Sequence, residues 1–160
     1  MENNYRQNII DFSLIHLNKP YIWNTLGPEE FDNPGFTFYI FKELFSINIK
    51  KNGFGIDNTT KQMTNAIGYS RKYKENDENK EKYLKDIQPG DLVFFHTQSL
   101  DENHPTPSNR YPGYVGIYLG CKKFIHASSE EGKVTISDLT GRWLNKLIAS
   151  KDIVSKFISS

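Results

Sequence analysis

Residues 18–41 read NKPYIWNTLGPEEFDNPGFTFYIF, and their character changes at Asn33-Pro34. Upstream, residues 18–32 mix proline, glycine, asparagine and aromatic side chains without a period, which describes an irregular segment apolar enough to be partly buried. Downstream a helix begins. Asn33 is a residue type that caps helix N-termini, and Pro34 suits the first helical position, where an N–H would lack a partner anyway. Phe36, Tyr39, Ile40 and Leu44 then recur at the spacing of one buried face.

On the amino side, Ile9, Ile10, Leu14, Ile15 and Leu17 stand three and four apart, so residues 4–17 are expected to form an amphipathic helix ending before Lys19-Pro20. On the carboxyl side, a third helix is expected from Thr59 or Thr60 to about Tyr69, with Met63, Ala66 and Ile67 inward. Residues 71–86, RKYKENDENKEKYLKD, carry six basic and five acidic side chains. They read as a solvated helix or mobile loop supported by Glu78/Lys82 and Glu81/Lys85 pairs.

After Pro89-Gly90 the period falls to two. Strands are expected at Asp91 to His96, Tyr114 to Leu119, Lys123 to Ala127 after the turn Gly120-Cys121-Lys122, and Val134 to Ser137. Leu147 to Ile153 reads as a further strand or as a helix. Residues 97–112 hold three prolines and no periodicity, the mark of a long loop over one end of the sheet. Helices first and antiparallel strands afterwards make an α+β fold, with N-terminal helices packed on a five- or six-stranded antiparallel sheet. No repeat or linker divides the chain, so residues 1–160 are expected to form a single domain.

Composition agrees with one packed core: 160 residues, 37% hydrophobic and 14% aromatic. With 20 basic and 19 acidic residues the net charge is +1, so no global field favours nucleic acid or an anionic membrane. The longest apolar runs, such as Leu92 to Phe95, fall far short of the ~20 residues a membrane span requires, so neither partner is expected. The opening MENNYRQNIIDF lacks the basic start, apolar segment and cleavage site of a signal peptide. The expected location is therefore cytoplasmic, or exported as part of a larger or non-classically secreted assembly. A lone cysteine, Cys121, allows no internal disulfide and no cysteine-rich metal cluster.

Three segments in fixed order carry a resemblance to one family. NKPYIWNTLGPEEFDNPGFTFYIF resembles the stretch around the nucleophile of the NlpC-type cell-wall cysteine peptidases, approximately G-x-P-Y-x-W-G-G-x-G-P-x-x-F-D-C-S-G-L-V. IQPGDLVFF is similar to that family's first-strand motif, and YVGIYLGCKKFIHAS to its hairpin H-V-G-I-Y-L-G-x-x-x-F-I-H-A-S. The resemblance implies a papain-like fold and a triad of cysteine at a helix N-terminus, histidine on a facing strand, and a third polar residue that orients the first. Helix-end amides and a neighbouring imidazolium lower the thiol pKa, and the third group fixes the tautomer. Position by position, the cysteine falls on Asn33, the base on Tyr114 and the orienting residue on His126.

Two of the three are therefore replaced. An amide offers no thiolate, and a tyrosine with an ordinary pKa of about 10 is a poor base at neutral pH. Losing members of such a unit costs on the order of a million-fold in turnover. The serine after the nucleophile is also replaced, by Pro34, and Asn-Pro is a strong helix start, so the position reads as rebuilt for stability. The expected protein is a catalytically inactive homologue acting in binding or scaffolding, with no cofactor and no metal. Its expected ligand is a peptidoglycan stem peptide or a protein partner. Two other readings stand beside it: a residual peptidoglycan endopeptidase or amidase using unconventional groups such as His126 and water, and a structural subunit of a phage or conjugation apparatus.

Tyr21, Trp23, Phe31, Asp32, Gly35 and His126 keep the family pattern, which implies a binding cleft lined by Tyr21, Trp23, Asp32, Asn33, Tyr114 and His126. Tyr114, Gly116 and Tyr118 share one strand face, so Tyr114 either lines that cleft or plugs it, its hydroxyl bonded to His126 or Asn33. Other candidates read as ordinary. Cys121 sits in a hairpin turn away from any helix N-terminus, and His96 and His104 with Asp101 and Glu102 match no metal-ligand spacing. His16, on the first helix, reads as a partly exposed or core histidine.

Overall fold

The computed structural model describes residues 1–49, 56–74, 77–96 and 112–159. Its elements are α1 (Glu2–Leu14), α2 (Asn33–Phe45), α3 (Ile56–Asn65), β1 (Tyr69–Lys72), a 3-10 helix (Lys80–Asp86), β2 (Leu92–His96), β3 (Pro112–Gly120), β4 (Lys123–Ser128), β5 (Lys133–Asp138), α4 (Gly141–Lys146), β6 (Leu147–Asp152) and α5 (Ile153–Ser159). The six strands form one antiparallel sheet in the order β1-β6-β2-β3-β4-β5. It is an α+β fold.

Strand alternation divides the core between two faces. Leu92, Phe94, Val115, Ile117, Ile125 and Ala127 meet Ile9 of α1 and Phe36, Ile40 and Phe41 of α2. Val93, Phe95, Tyr114, Tyr118 and Phe124 point the other way, onto Leu139 and onto Leu144 and Trp143 of α4. Each fully buried large apolar side chain contributes roughly 1.5–3 kcal/mol, so both faces matter to stability. Gly116 lies between Tyr114 and Tyr118 because a Cβ there would stand 2.7 Å from the Phe124 ring.

Several expectations are corrected. α1 ends at Leu14; Ile15, expected inward, is 68% exposed, and His16 is buried just beyond the helix. α3 starts and ends earlier than expected, leaving Ile67 38% exposed and Tyr69 on edge strand β1. β1 is exposed at all four residues, so no alternation betrays it in the sequence. The charged stretch 71–86 is not simply solvated: Lys80 is buried, donating to the carbonyls of Asn145 at 2.7 Å and Leu147 at 2.9 Å, where α4 runs into β6. The ion pairs there also differ, joining Lys82 to Asp77 and Glu81 to Lys122. The segment that read as strand or helix is both, β6 followed at once by α5. The loop expected at 97–112 lies outside the described residues up to position 111, with His104, Asp101 and Glu102, while Pro112 opens β3.

A buried ionic knot joins both chain ends to the sheet. Arg6 on α1 reaches Asp91 at 2.8 Å and Asp152 at 2.9 Å. Burial nonetheless pushes the Asp91 carboxyl up to about 7.

Candidate functional site

The turn into α2 is built one residue earlier than expected. Asp32, in extended backbone, is the N-cap: its carboxylate accepts from the Gly35 N–H at 2.6 Å, and Asn33 is already helical. Asp32 and Asn33 are equally good capping types, so sequence alone does not separate them. A Cβ at Gly35 would collide with the Thr25 carbonyl oxygen, so the glycine lets the preceding loop lie against the helix start. With its cap role taken by Asp32, the Asn33 side chain turns to the sheet.

There it fills a split between two strands. β3 and β4 pair from Ile117↔Ile125 to Gly120↔Lys123. Extending that register sets Val115 opposite Ala127, and the Asn33 carboxamide enters between them. Oδ1 accepts from the Val115 N–H at 2.8 Å, while Nδ2 donates to the carbonyls of Val115 and Ala127, both at 3.0 Å. A carboxamide carries the same donor and acceptor types as a peptide unit, so it supplies the ladder bonds that the separated strands need. A thiol could supply none of these at full strength.

Tyr114 and His126 lie across the sheet from α2 and are joined to Asn33 through one atom. The Tyr114 hydroxyl donates to the same Ala127 carbonyl at 3.0 Å. That uses its only proton, so the 2.9 Å contact with His126 is Nδ1–H donating to the phenolic oxygen, and Nε2 accepts from the Ser137 hydroxyl at 2.8 Å. Burial raises the Tyr114 pKa above its ordinary value, and burial with Arg142 nearby lowers that of His126 to about 3. Both are neutral at pH 7. Trp143 covers the pair, its ring 5.1 Å from Tyr114, 5.4 Å from His126 and 5.3 Å from Phe124.

Of the six residues expected to line a cleft, the structure brings Asn33, Tyr114 and His126 into this network, and all three are buried, as is Asp32. Of the two partners expected for a plugging Tyr114, His126 or Asn33, its hydroxyl meets His126, and it donates its proton to the Ala127 carbonyl. Tyr21 is half-buried and Trp23 is 39% exposed, so these two reach the surface. Ser137, Trp143 and the backbone of Val115 and Ala127 belong to the network without having been expected in it. The one available signal is that a buried histidine needs partners on both nitrogens, which points to a polar residue on the neighbouring strand.

The other candidates separate from the site. Cys121 is exposed in the β3–β4 turn, and His96 ends β2 half-buried. His16 is a core residue: its ring lies 4.9 Å from Phe12, 5.5 Å from Phe31 and 5.3 Å from Tyr39, with Nδ1 2.9 Å from the Lys19 ammonium. Burial and that ammonium lower its pKa, so it too stays neutral. No helix among the described residues is long and apolar enough to cross a membrane.

The sequence model of the NlpC/P60 family matches residues 18–151. A probable endopeptidase p60 of Listeria grayi is 32% identical over 126 residues, covering 79% of this chain and 18% of its own length. The chain therefore spans under a fifth of that relative. Among solved structures, an NlpC/P60 family protein from Bacillus cereus superposes with a TM-score of 0.66 at 24% identity, over 93% of this chain and 40% of that one. The peptidoglycan hydrolase RipB of Mycobacterium tuberculosis gives 0.59 at 18% identity, over 95% and 66%. At these identities the structural likeness speaks for the fold alone.

Proposed function

The chain belongs to the NlpC/P60 family, and on that premise we propose that it is a catalytically inactive member that works by binding or scaffolding rather than by hydrolysis. The observation that carries this reading is the Asn33 carboxamide, which stands where the motif puts the nucleophile and spends its polar atoms on Val115 and Ala127. Neither partner position offers a working base, since Tyr114 is a buried neutral phenol and His126 a buried neutral imidazole whose lone pair is taken by Ser137. We take residues 1–160 as one unit, and the ligand as a cell-wall peptide or a protein partner met at the surface beside the closed network.

One observation favours the hydrolytic alternative. Ser137, His126 and Tyr114 stand in the order of nucleophile, base and orienting group, at 2.8 and 2.9 Å. Against it, an imidazole held at about 3 has little affinity for the serine proton, and a neutral phenol cannot stabilise the imidazolium as a carboxylate does. Digestion of purified peptidoglycan with mass-spectrometric detection separates the readings. No products from the unmodified protein is the expected result. Products that disappear in Ser137→Ala or His126→Ala would overturn it and establish a serine route.

A further inference from the structure

Ile22, Trp23 and Leu26 are 44%, 39% and 36% exposed within five residues of one loop. The loop is held in place by its own bonds. Thr25 Oγ1 donates to the Ile22 carbonyl at 2.6 Å, the Ile22 N–H to the Phe31 carbonyl at 3.1 Å, and the Asp32 N–H to the Thr25 carbonyl at 2.9 Å. Tyr21 and Leu26 both bridge to Phe31, whose side chain is fully buried. Phe31 thus anchors the loop in the core while three large apolar side chains are presented to water.

Carboxylates lie on the same loop and on the turn bonded to it. Glu29 and Glu30 are exposed on the same loop. The Tyr21 N–H donates to the Gly132 carbonyl at 2.9 Å, which ties in the β4–β5 turn with exposed Glu130 and Glu131. Among the described residues, only Glu130 of these four has a cation at ion-pair distance, Arg142 at 2.9 Å. Lys19, just before the loop, directs its ammonium to the Pro28 carbonyl at 2.8 Å and to His16, and Lys133, which bridges to Pro20, follows the turn at the start of β5, so the four carboxylates outnumber the cations Lys19, Lys133 and Arg142.

We propose that this loop and the adjoining turn form a docking surface for a polypeptide segment in which lysine or arginine alternates with large apolar side chains. Apolar side chains of the partner would cover Ile22, Trp23 and Leu26, and its cations would meet Glu29, Glu30 and Glu131, which supplies attraction and register together. An acidic rim repels anionic lipid and nucleic acid, so a protein segment is the occupant the charge favours. The proposal rests on the binding role argued above and names its partner.

The test is a titration of isotopically labelled protein, followed by NMR, with three probes: a synthetic 15-residue lysine/leucine/tryptophan peptide, the same peptide with glutamate for lysine, and anionic phospholipid vesicles. Shifts confined to residues 21–31 and 129–132, from the basic peptide alone, are expected. The affinity should fall about tenfold or more in Ile22→Ser/Trp23→Ser, and both fall and lose its salt dependence in Glu29→Gln/Glu30→Gln/Glu131→Gln. Circular dichroism of each variant establishes that it is folded. No shifts at millimolar basic peptide, equal binding of the acidic peptide, binding indifferent to either variant, or vesicle binding through the same residues would each overturn the proposal. Peptidoglycan cleavage is read separately, so loss of the docking surface and loss of the inactive-homologue reading are distinct results.

Discussion

Asn33 and Val115 exchange two hydrogen bonds, Oδ1 from the Val115 N–H at 2.8 Å and Nδ2 to the Val115 carbonyl at 3.0 Å, so a side chain stands in for a strand neighbour. The exchange links the α2 N-terminus to β3, and the third bond, to Ala127, extends it to β4. Removing the amide would leave the buried Val115 N–H and carbonyl unpaired on β3, while the Ala127 carbonyl on β4 would lose one of its two donors and keep the Tyr114 hydroxyl.

Asn33→Ala should therefore destabilise by roughly 2–4 kcal/mol, since each buried polar group left without a partner costs about 1–3 kcal/mol. Asn33→Asp should be worse at neutral pH, because it sets a carboxylate oxygen against the Val115 and Ala127 carbonyls, and should recover as acid protonates it. Urea midpoints at pH 7 and pH 4.5 measure both. An Asn33→Asp variant as stable as the parent at pH 7 would remove the strand-bridging role.

His126 couples the same network to pH. Its folded pKa, about 3, lies below the unfolded value of about 6.5, so the neutral ring stabilises the fold above 6.5 and that contribution drains away as pH falls towards 3. At about 1.4 kcal/mol per pKa unit, the full amount is roughly 5 kcal/mol. Wild-type stability should fall between pH 6.5 and 4 more steeply than that of His126→Gln. In Trp143→Ala, NMR titration should find the ring moved back towards 6.5 as water reaches it.

The Arg6 knot carries the opposite sign. Burial holds Asp91 at about 7, above its unfolded value, so its contribution is complete at low pH and is lost as pH rises through about 7. Arg6→Met takes away the cation shared by Asp91 and Asp152 and should cost about 3–5 kcal/mol. The deficit should be larger at pH 8.5 than at pH 6, as measured by urea unfolding. An equal deficit at both would mean that Asp91 does not titrate with folding.

What the sequence disclosed follows the range of the forces involved. The alternation of Val115, Ile117 and Leu119 against Tyr114, Gly116 and Tyr118 is local, and it alone separates the two core faces. β1 is hidden because an edge strand with four exposed residues has no inward face to write a pattern. Lys80 reads as solvated because its partners, the Asn145 and Leu147 carbonyls, lie more than sixty residues away in the chain. The motif puts Asn33, Tyr114 and His126 in register with a triad, but it holds no sign that all three share the neighbourhood of one carbonyl, Ala127, because a backbone acceptor has no letter in the sequence.

That shared carbonyl decides how the triad positions would respond to reconstruction. Asn33→Cys alone should stay unreactive: no base faces the thiol, and the strand split loses its bonding partner, so the variant should be destabilised about as much as Asn33→Ala. Adding Tyr114→His and Pro34→Ser places an imidazole on β3 with His126 beside it to fix its tautomer, and that combination should accelerate alkylation by iodoacetamide at neutral pH well beyond the single variant. The exposed Cys121 must first be changed to serine so that position 33 is the only thiol scored. A folded triple variant that alkylates no faster than the single would mean that positions 33 and 114 are not the nucleophile and base positions of the family, and the reading of Asn33 as a displaced nucleophile would go with them.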